Sequence, residues 1–177
     1  ARVIVKKGAL TPKYRRLLYP EDRIPEITSL KDRVTEITSP VELDNNFFIM
    51  PDINVTNPSD TSYDGEDRFE DELFLGFKKG EHISVISSCS HNGITNIAST
   101  ASHFFSLPLD LILGGFHTRA ASTERIKNII ETLKDISPRS IGVCHCTGID
   151  NYLLIRKEIS NINVFYNQTG NSVVINS

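Results

Sequence analysis

The chain contains no tryptophan, one methionine (Met50) and only three cysteines in 177 residues. Three thiols, two of them flanking a single residue, cannot build the disulfide framework of a small secreted domain. The setting expected is therefore reducing and cytoplasmic. Long hydrophobic runs are missing as well. A stretch such as LDLILGGF at 109–116 falls far short of the ~20 apolar residues that cross a bilayer. Positive charge is not in excess either: 19 Lys and Arg against 22 Asp and Glu leave a net charge of −3. Phosphate backbones call for a basic face, so nucleic acid is not an expected partner, and the short apolar runs make a membrane an unexpected one as well. The given residues open directly on the alternating run ARVIVKKG, with no charged-then-apolar stretch ahead of it to raise an expectation of secretion. Two origins fit that start: removal of an initiator methionine before Ala1, or a sequence that begins inside a domain.

What is present divides into two unlike parts within one expected domain, residues 1–177. Residues 1–80 read as β-rich and irregular. Strands are expected at 2–7, 34–38, 47–50 and 53–56, where β-branched and aromatic residues cluster between prolines and asparagines. A short helix is expected over 10–25, closed by Pro20 and Pro25. The run NPSDTSYDGEDRFEDE at 57–72 has no periodicity and reads as a long acidic loop. FLGFKKGEHISVISS at 74–88 reads as a hairpin turning at Lys79-Gly80. From 81 onward strand and helix alternate. Helices are expected near 93–106, 122–136 and 149–160, the second from its stripe Ile126, Ile129, Ile130 and Leu133. Strands are expected at 109–115, 139–144, 163–167 and 172–176. Such alternation predicts βαβ units with a parallel sheet and helices packed on it, an α/β fold.

Three of the five histidines stand just beyond a strand end. SSCSHNGI (87–94) holds His91, GGFHTR (114–119) holds His117, and GVCHCTG (142–148) holds His145. Ligands bind at that edge of an open α/β sheet, because the loops and helix N-termini converge there. Three imidazoles at one edge suit Zn²⁺, Mn²⁺ or Fe²⁺ and leave a coordination position open. His82 and His103, in a turn and on a helix face, read as ordinary hydrogen-bonding residues. Cys144 and Cys146 form a C-x-C, a poor match to a C-x-x-C redox pair. Cys89 and Cys144 end buried strands, where a thiol is usually a small core residue. Metal ligation by Cys89 or Cys146 is the second choice.

Several of these stretches, in order, resemble a known family. DRFEDELFLGF, HISVISSCSHNGITNI, LDLILGGFHT and IGVCHCTG are similar to the second half of metallo-β-lactamase-fold metal-dependent hydrolases, in the branch of the dihydropterin ribofuranosylaminobenzene phosphate synthases. Ser88 stands where that branch has glycine. The H-x-H-x-D-H signature that supplies most of the family's ligands does not occur in these 177 residues. The resemblance implies the second half of an αβ/βα sandwich, with a homo-oligomer or a complementary N-terminal segment completing it. It also implies a divalent metal, zinc first and manganese or iron next, with His91 and His145 as ligands and His117 as the catalytic candidate, a site-facing residue open to three roles: ligand, substrate contact or proton donor. Asp71 and Glu72 are candidates to orient a ligand, and Cys89, Cys144 and Cys146 are candidates to line the site. The reaction implied is attack of metal-activated water on an ester, lactone or phosphoester; the alternative is a non-catalytic module that needs a complementary chain. Lys6, Lys7, Lys13, Arg15 and Arg16 form a basic patch that could meet a substrate anion. Two or three imidazoles without the missing ligands are expected to hold metal poorly.

Overall fold

A computed structural model describes residues 2–10, 31–44, 46–63 and 67–175. Beyond Leu10, the helix expected over 10–25 lies outside the described residues, and so do Lys13, Arg15 and Arg16. Nine strands are described: β1 (Val3–Lys6), β2 (Val34–Ile37), β3 (Val41–Glu42), β4 (Phe47–Met50), β5 (Phe74–Lys79), β6 (His82–Ile86), β7 (Leu109–Gly114), β8 (Ser140–Val143) and β9 (Asn163–Tyr166). Three α-helices accompany them: α1 (Ile94–Phe105), α2 (Thr123–Ile136) and α3 (Ile149–Glu158).

β1 and β2 pair in parallel as a small separate sheet. The other seven form one mixed sheet whose spatial order, β3-β4-β5-β6-β7-β8-β9, is also the order in sequence. β3 to β6 are antiparallel neighbours and β6 to β9 are parallel. Each parallel step is a strand–helix–strand crossover. Crossovers of one hand that always advance in the same direction put the connecting helices on the same face, and α1, α2 and α3 do pack side by side.

The core lies between those helices and the sheet. One cross-strand row on the helix face runs Val85, Ile112, Ile141 and Val164, all buried. α1 brings Ile94, Ile97, Ala98 and Ala101 to it, and α2 brings Ile126, Ile129, Ile130 and Leu133. These are the i, i+3, i+4, i+7 positions of an amphipathic helix, which is why their sequence stripes were readable. Gly76 on β5 leaves room for the Phe105 ring of α1, which a Cβ there would approach to 3.2 Å.

Two strands expected from β-branched runs are not formed. At 53–56 the main chain is occupied by side chains of α1 instead. Asn54 N–H donates to Thr100 Oγ1 at 2.9 Å, and Thr56 and Asn57 N–H both donate to Asn96 Oδ1 at 3.0 and 2.7 Å. A backbone whose donors are satisfied this way does not require a strand partner. The described part of 172–176 is unpaired, tied at Ile175, whose carbonyl accepts from Lys79 Nζ at 2.6 Å. The β5–β6 hairpin turns at Gly80-Glu81, one residue later than expected, with Lys79 opposite His82 and Gly80 at φ +56.

Candidate metal centre

The C-terminal ends of β6, β7 and β8 lie side by side at one edge of the sheet, and the loops that follow carry His91, His117 and His145. The three histidines singled out in the sequence therefore share one edge. Their loops are built tightly. Ser90 and His117 both have φ +49, left-handed backbone that a non-glycine side chain adopts at a cost and that clusters at functional sites. Gly115 stands where a Cβ would run into Cys146 Sγ and come within 2.8 Å of the Ser88 carbonyl and 3.0 Å of the His145 ring. Only glycine leaves that space open.

His91 is fixed from four sides. Its N–H donates to Glu72 Oε1 at 2.7 Å, while Glu72 Oε2 accepts from both the main-chain and side-chain nitrogens of Asn92. Phe69 stacks on the imidazole, ring centroids 3.7 Å apart and planes at 5°, and the His117 ring lies 4.2 Å away on centroids. His91 Nδ1 is 3.2 Å from the Ser62 carbonyl. A carbonyl can only accept, so Nδ1 carries the proton and Nε2 is left with its lone pair for a cation. A ligand histidine needs this kind of orientation.

Glu72 thus ties down the main chain of the His91 loop. Asp71 beside it is half-buried. The other tie from the acidic loop was missed in the sequence. Asp60 is fully buried, and its Oδ2 accepts from Thr95 N–H and Oγ1, both at 2.8 Å. It caps α1 from a distant loop, because Gly93 offers no side chain for the task. Arg125 on α2 lies 3.6 Å from Asp60 Oδ1 and donates to the carbonyls of Asp60 and His117 at 2.9 and 3.0 Å. Burial raises the Asp60 carboxyl to about 6 against the pull of Thr95 and Arg125, and burial likewise lowers the Arg125 guanidinium. An aspartate inside a long acidic run reads as solvated; only the tertiary position of Arg125 reveals it.

His145 lies between two thiols. Its Nε2 is 3.2 Å from Cys89 Sγ and its Nδ1 is 3.3 Å from Cys144 Sγ. Cys146 Sγ accepts from His117 N–H at 3.3 Å. Burial pushes the Cys146 thiol up to about 12 and raises that of Cys144 as well. All three cysteines are free thiols.

Among the described residues, the donor atoms form two compact sets. Cys89, His91 and His117 have ligand atoms within 4.8 Å of one another, and so do Cys89, His145 and Cys146. Donors on a tetrahedral zinc stand roughly 3.4–3.8 Å apart, given metal–ligand bonds of about 2.0–2.3 Å. Both sets therefore need only small side-chain movements to close on an ion. Next to them opens a cavity of about 420 Å³ lined by His117, Arg119, Arg125, Ser62, His145 and Cys146. Lys6 and Lys7 line a second one, about 410 Å³, together with Glu72 and Asn92.

Comparison with protein-family models gives no match. Among solved structures, the chain is similar to Tm1679, described as a metal-dependent hydrolase of the β-lactamase superfamily. The TM-score is 0.80 at 26% identity, over 99% of this chain and 72% of that one. The α/β fold, a mixed sheet flanked by helices, thus matches a metallo-β-lactamase-like structure, and the chain is homologous to a metal-dependent hydrolase. It is also 32% identical over 83 residues to the 7,8-dihydropterin-6-methyl-4-(beta-D-ribofuranosyl)-aminobenzene-5'-phosphate synthase of Methanocaldococcus jannaschii. That match spans 46% of this chain and 28% of the curated relative.

Proposed function

We propose that the protein is a metal-dependent hydrolase whose ion sits at the strand-end cluster and whose substrate is a small molecule carrying an ester, lactone or phosphoester. The observation that carries this reading is the Cys89–His91–His117 set, with ligand atoms inside 4.8 Å of one another and with His117 also lining the cavity. The donors suit the group: two imidazoles and one thiol are zinc chemistry, with manganese or iron as poorer matches to the sulfur. Three protein donors leave a fourth position free, as catalytic sites require. A divalent ion there would supply Lewis acidity at the scissile group and acidify water.

The chain's own residues do the rest. His91 presents Nε2 because Ser62 holds Nδ1. His117 belongs to the donor set and also lines the cavity, which puts it at the reacting edge. Arg119, exposed and anchored to the His145 carbonyl at 3.0 Å, keeps further N–H groups for a substrate anion. Arg125 is committed to carbonyls and Asp60 and serves to position the His117 loop. The name of the curated relative points to a phosphorylated ribosyl compound; for this chain we propose only the anionic group.

Hydrolysis of p-nitrophenyl esters and bis(p-nitrophenyl) phosphate by the zinc- or manganese-loaded protein tests the reading. Activity should vanish with chelator and return with metal, and His91→Ala and His117→Ala should each lower kcat/KM at least 100-fold. Turnover that survives chelation, or that both variants keep, would contradict it.

A second reading is favoured by the sheet face opposite the helices. Phe77, Ile86, Leu113 and Phe165 are half-buried there, and Phe47 is 38% exposed. A module needing a homo-oligomeric or complementary partner would cover that face. Light scattering decides it: this reading predicts a concentration-dependent mass increase, and a monomer at all concentrations opposes it.

A further inference from the structure

The second cavity, about 410 Å³, contains none of the proposed metal donors among its described lining residues, yet it shares a wall with them. Phe69, Glu72 and Asn92 line it, and these residues hold His91 in place. Phe69 stacks on the imidazole, Glu72 takes the His91 N–H, and Asn92 shares the same carboxylate. Phe69 borders this cavity, His117 borders the other, and the His91 ring touches both. A relay of three rings therefore joins two cavities that have no described lining residue in common. Phe69 is itself held at φ +49, its carbonyl accepting from Asn92 Nδ2 and Glu72 N–H, both at 2.9 Å. A bulky residue in left-handed backbone is strained, and such residues cluster at ligand clamps and switch regions.

Lys6 and Lys7 supply the positive charge. The Lys6 side chain is 23% exposed, and its ion-pair partner Asp52 stands 3.9 Å away on a largely exposed side chain. Among the described residues nothing pairs with the Lys7 ammonium. Of the two carboxylates at the cavity, Glu72 is covered by three hydrogen bonds from the His91 loop and Glu70 is exposed to solvent. Ile53 and Phe69 add an apolar wall. Two ammonium groups beside such a wall suit an anion carried on an apolar body.

We propose that this cavity binds a small organic anion, such as an aryl carboxylate or aryl phosphate, as an effector rather than as the group being hydrolysed, and that its occupant acts on His91 through Phe69. The anionic end meets Lys6 and Lys7 while the body packs against Ile53 and Phe69. The lysine pair, read in the sequence as a contact for a substrate anion, is thereby set apart from the substrate cavity by the ring relay. An occupant that shifts or locks Phe69 changes the orientation of the imidazole, and metal affinity changes with it. Only that last step rests on His91 as a metal ligand.

Benzenesulfonate is the probe, a flat organic anion that carries no carboxylic or phosphoric ester and ligates zinc poorly. It is titrated into the reduced, metal-free full chain while amide and imidazole NMR signals are followed. Saturable shifts are expected at the Phe69 and Asn92 amides and at the His91 ring. Lys6→Gln combined with Lys7→Gln should weaken binding at least 10-fold, whereas Arg119→Ala should leave it within 2-fold. Inorganic sulfate should bind at least 10-fold more weakly than benzenesulfonate. Phe69→Leu should keep the lysine-dependent binding and lose the shift at His91. In the parent, saturating benzenesulfonate should change zinc affinity by about 5-fold or more. Absent shifts at Phe69 and Asn92, or binding indifferent to the lysine pair, would overturn the site. Sulfate binding as tightly as benzenesulfonate overturns the organic class of ligand. An unmoved His91 ring, or an unchanged zinc affinity, overturns the effector role. Failure of the hydrolase reading shows separately, as absent zinc-dependent esterase activity with the shifts intact.

Discussion

Both carboxylate oxygens of Glu72 are engaged by the loop that carries His91, through three hydrogen bonds of 2.7 to 2.8 Å. The residue is never near enough to be replaced by water at no cost, since each charge-assisted bond is about twice as strong as a neutral one. Glu72→Ala should therefore weaken metal binding at the His91 site by about 10–100-fold, the usual effect of losing a group that orients a ligand. Isothermal titration with Zn²⁺ measures it, and unchanged affinity would show that Phe69 and Ser62 suffice. Asp60 supplies a pH signature. Its carboxyl is raised from 3.8 to about 6 by burial, so between those values the folded state holds a proton that the unfolded chain has released. Stability contributed by the neutral acid is complete below about pH 4 and is lost as pH rises through about 6, by on the order of 3 kcal/mol. Denaturant melts of the parent and of Asp60→Asn across that window should diverge in the variant's favour as pH rises. Parallel curves would mean that Arg125 and Thr95 fully offset the burial.

At the scale of elements, α1 acts as a staple as well as a core helix. Asn96, fully buried, accepts from Thr56 and Asn57 N–H and donates to the carbonyls of Asn57 and Asn92. Asn96→Ala leaves those groups without partners and should cost about 2–4 kcal/mol. Amide exchange should accelerate at Thr56 and Asn57 before the rest of the fold; uniform exchange would contradict the staple. The same contacts explain what the sequence could and could not reveal. α1 and α2 were legible because their partner is the whole apolar face of a sheet, which imprints a 3.6-residue stripe. INVT at 53–56 carries strand propensity, but its hydrogen bonds go to side chains some 40 residues away, and no local pattern encodes that. SVVI near the end likewise has the residues of a strand without a neighbour to pair with. The three histidines were legible for a simpler reason, since each follows a readable strand. The pairing of Cys89 with both donor sets was not, because sequence spacing fixes which loop a thiol lies on but not the direction in which it points.

For the whole molecule, sequential strand order and the connecting helices on a single face deliver three successive βα loops to one edge, and that edge gathers the candidate metal donors. The expectation that such a site would hold metal poorly counted imidazoles alone. Cys89, common to both donor sets, adds a thiol that is expected to tighten metal binding. Metal titration of the reduced parent and of Cys89→Ala, followed by elemental analysis after dialysis, tests this most directly. The parent is expected to retain Zn²⁺ at one or more equivalents per chain, and Cys89→Ala, with its fold intact by circular dichroism, to lose affinity at least 10-fold. A parent chain that emerges from dialysis without metal, or a Cys89→Ala variant that retains as much as the parent, would contradict it.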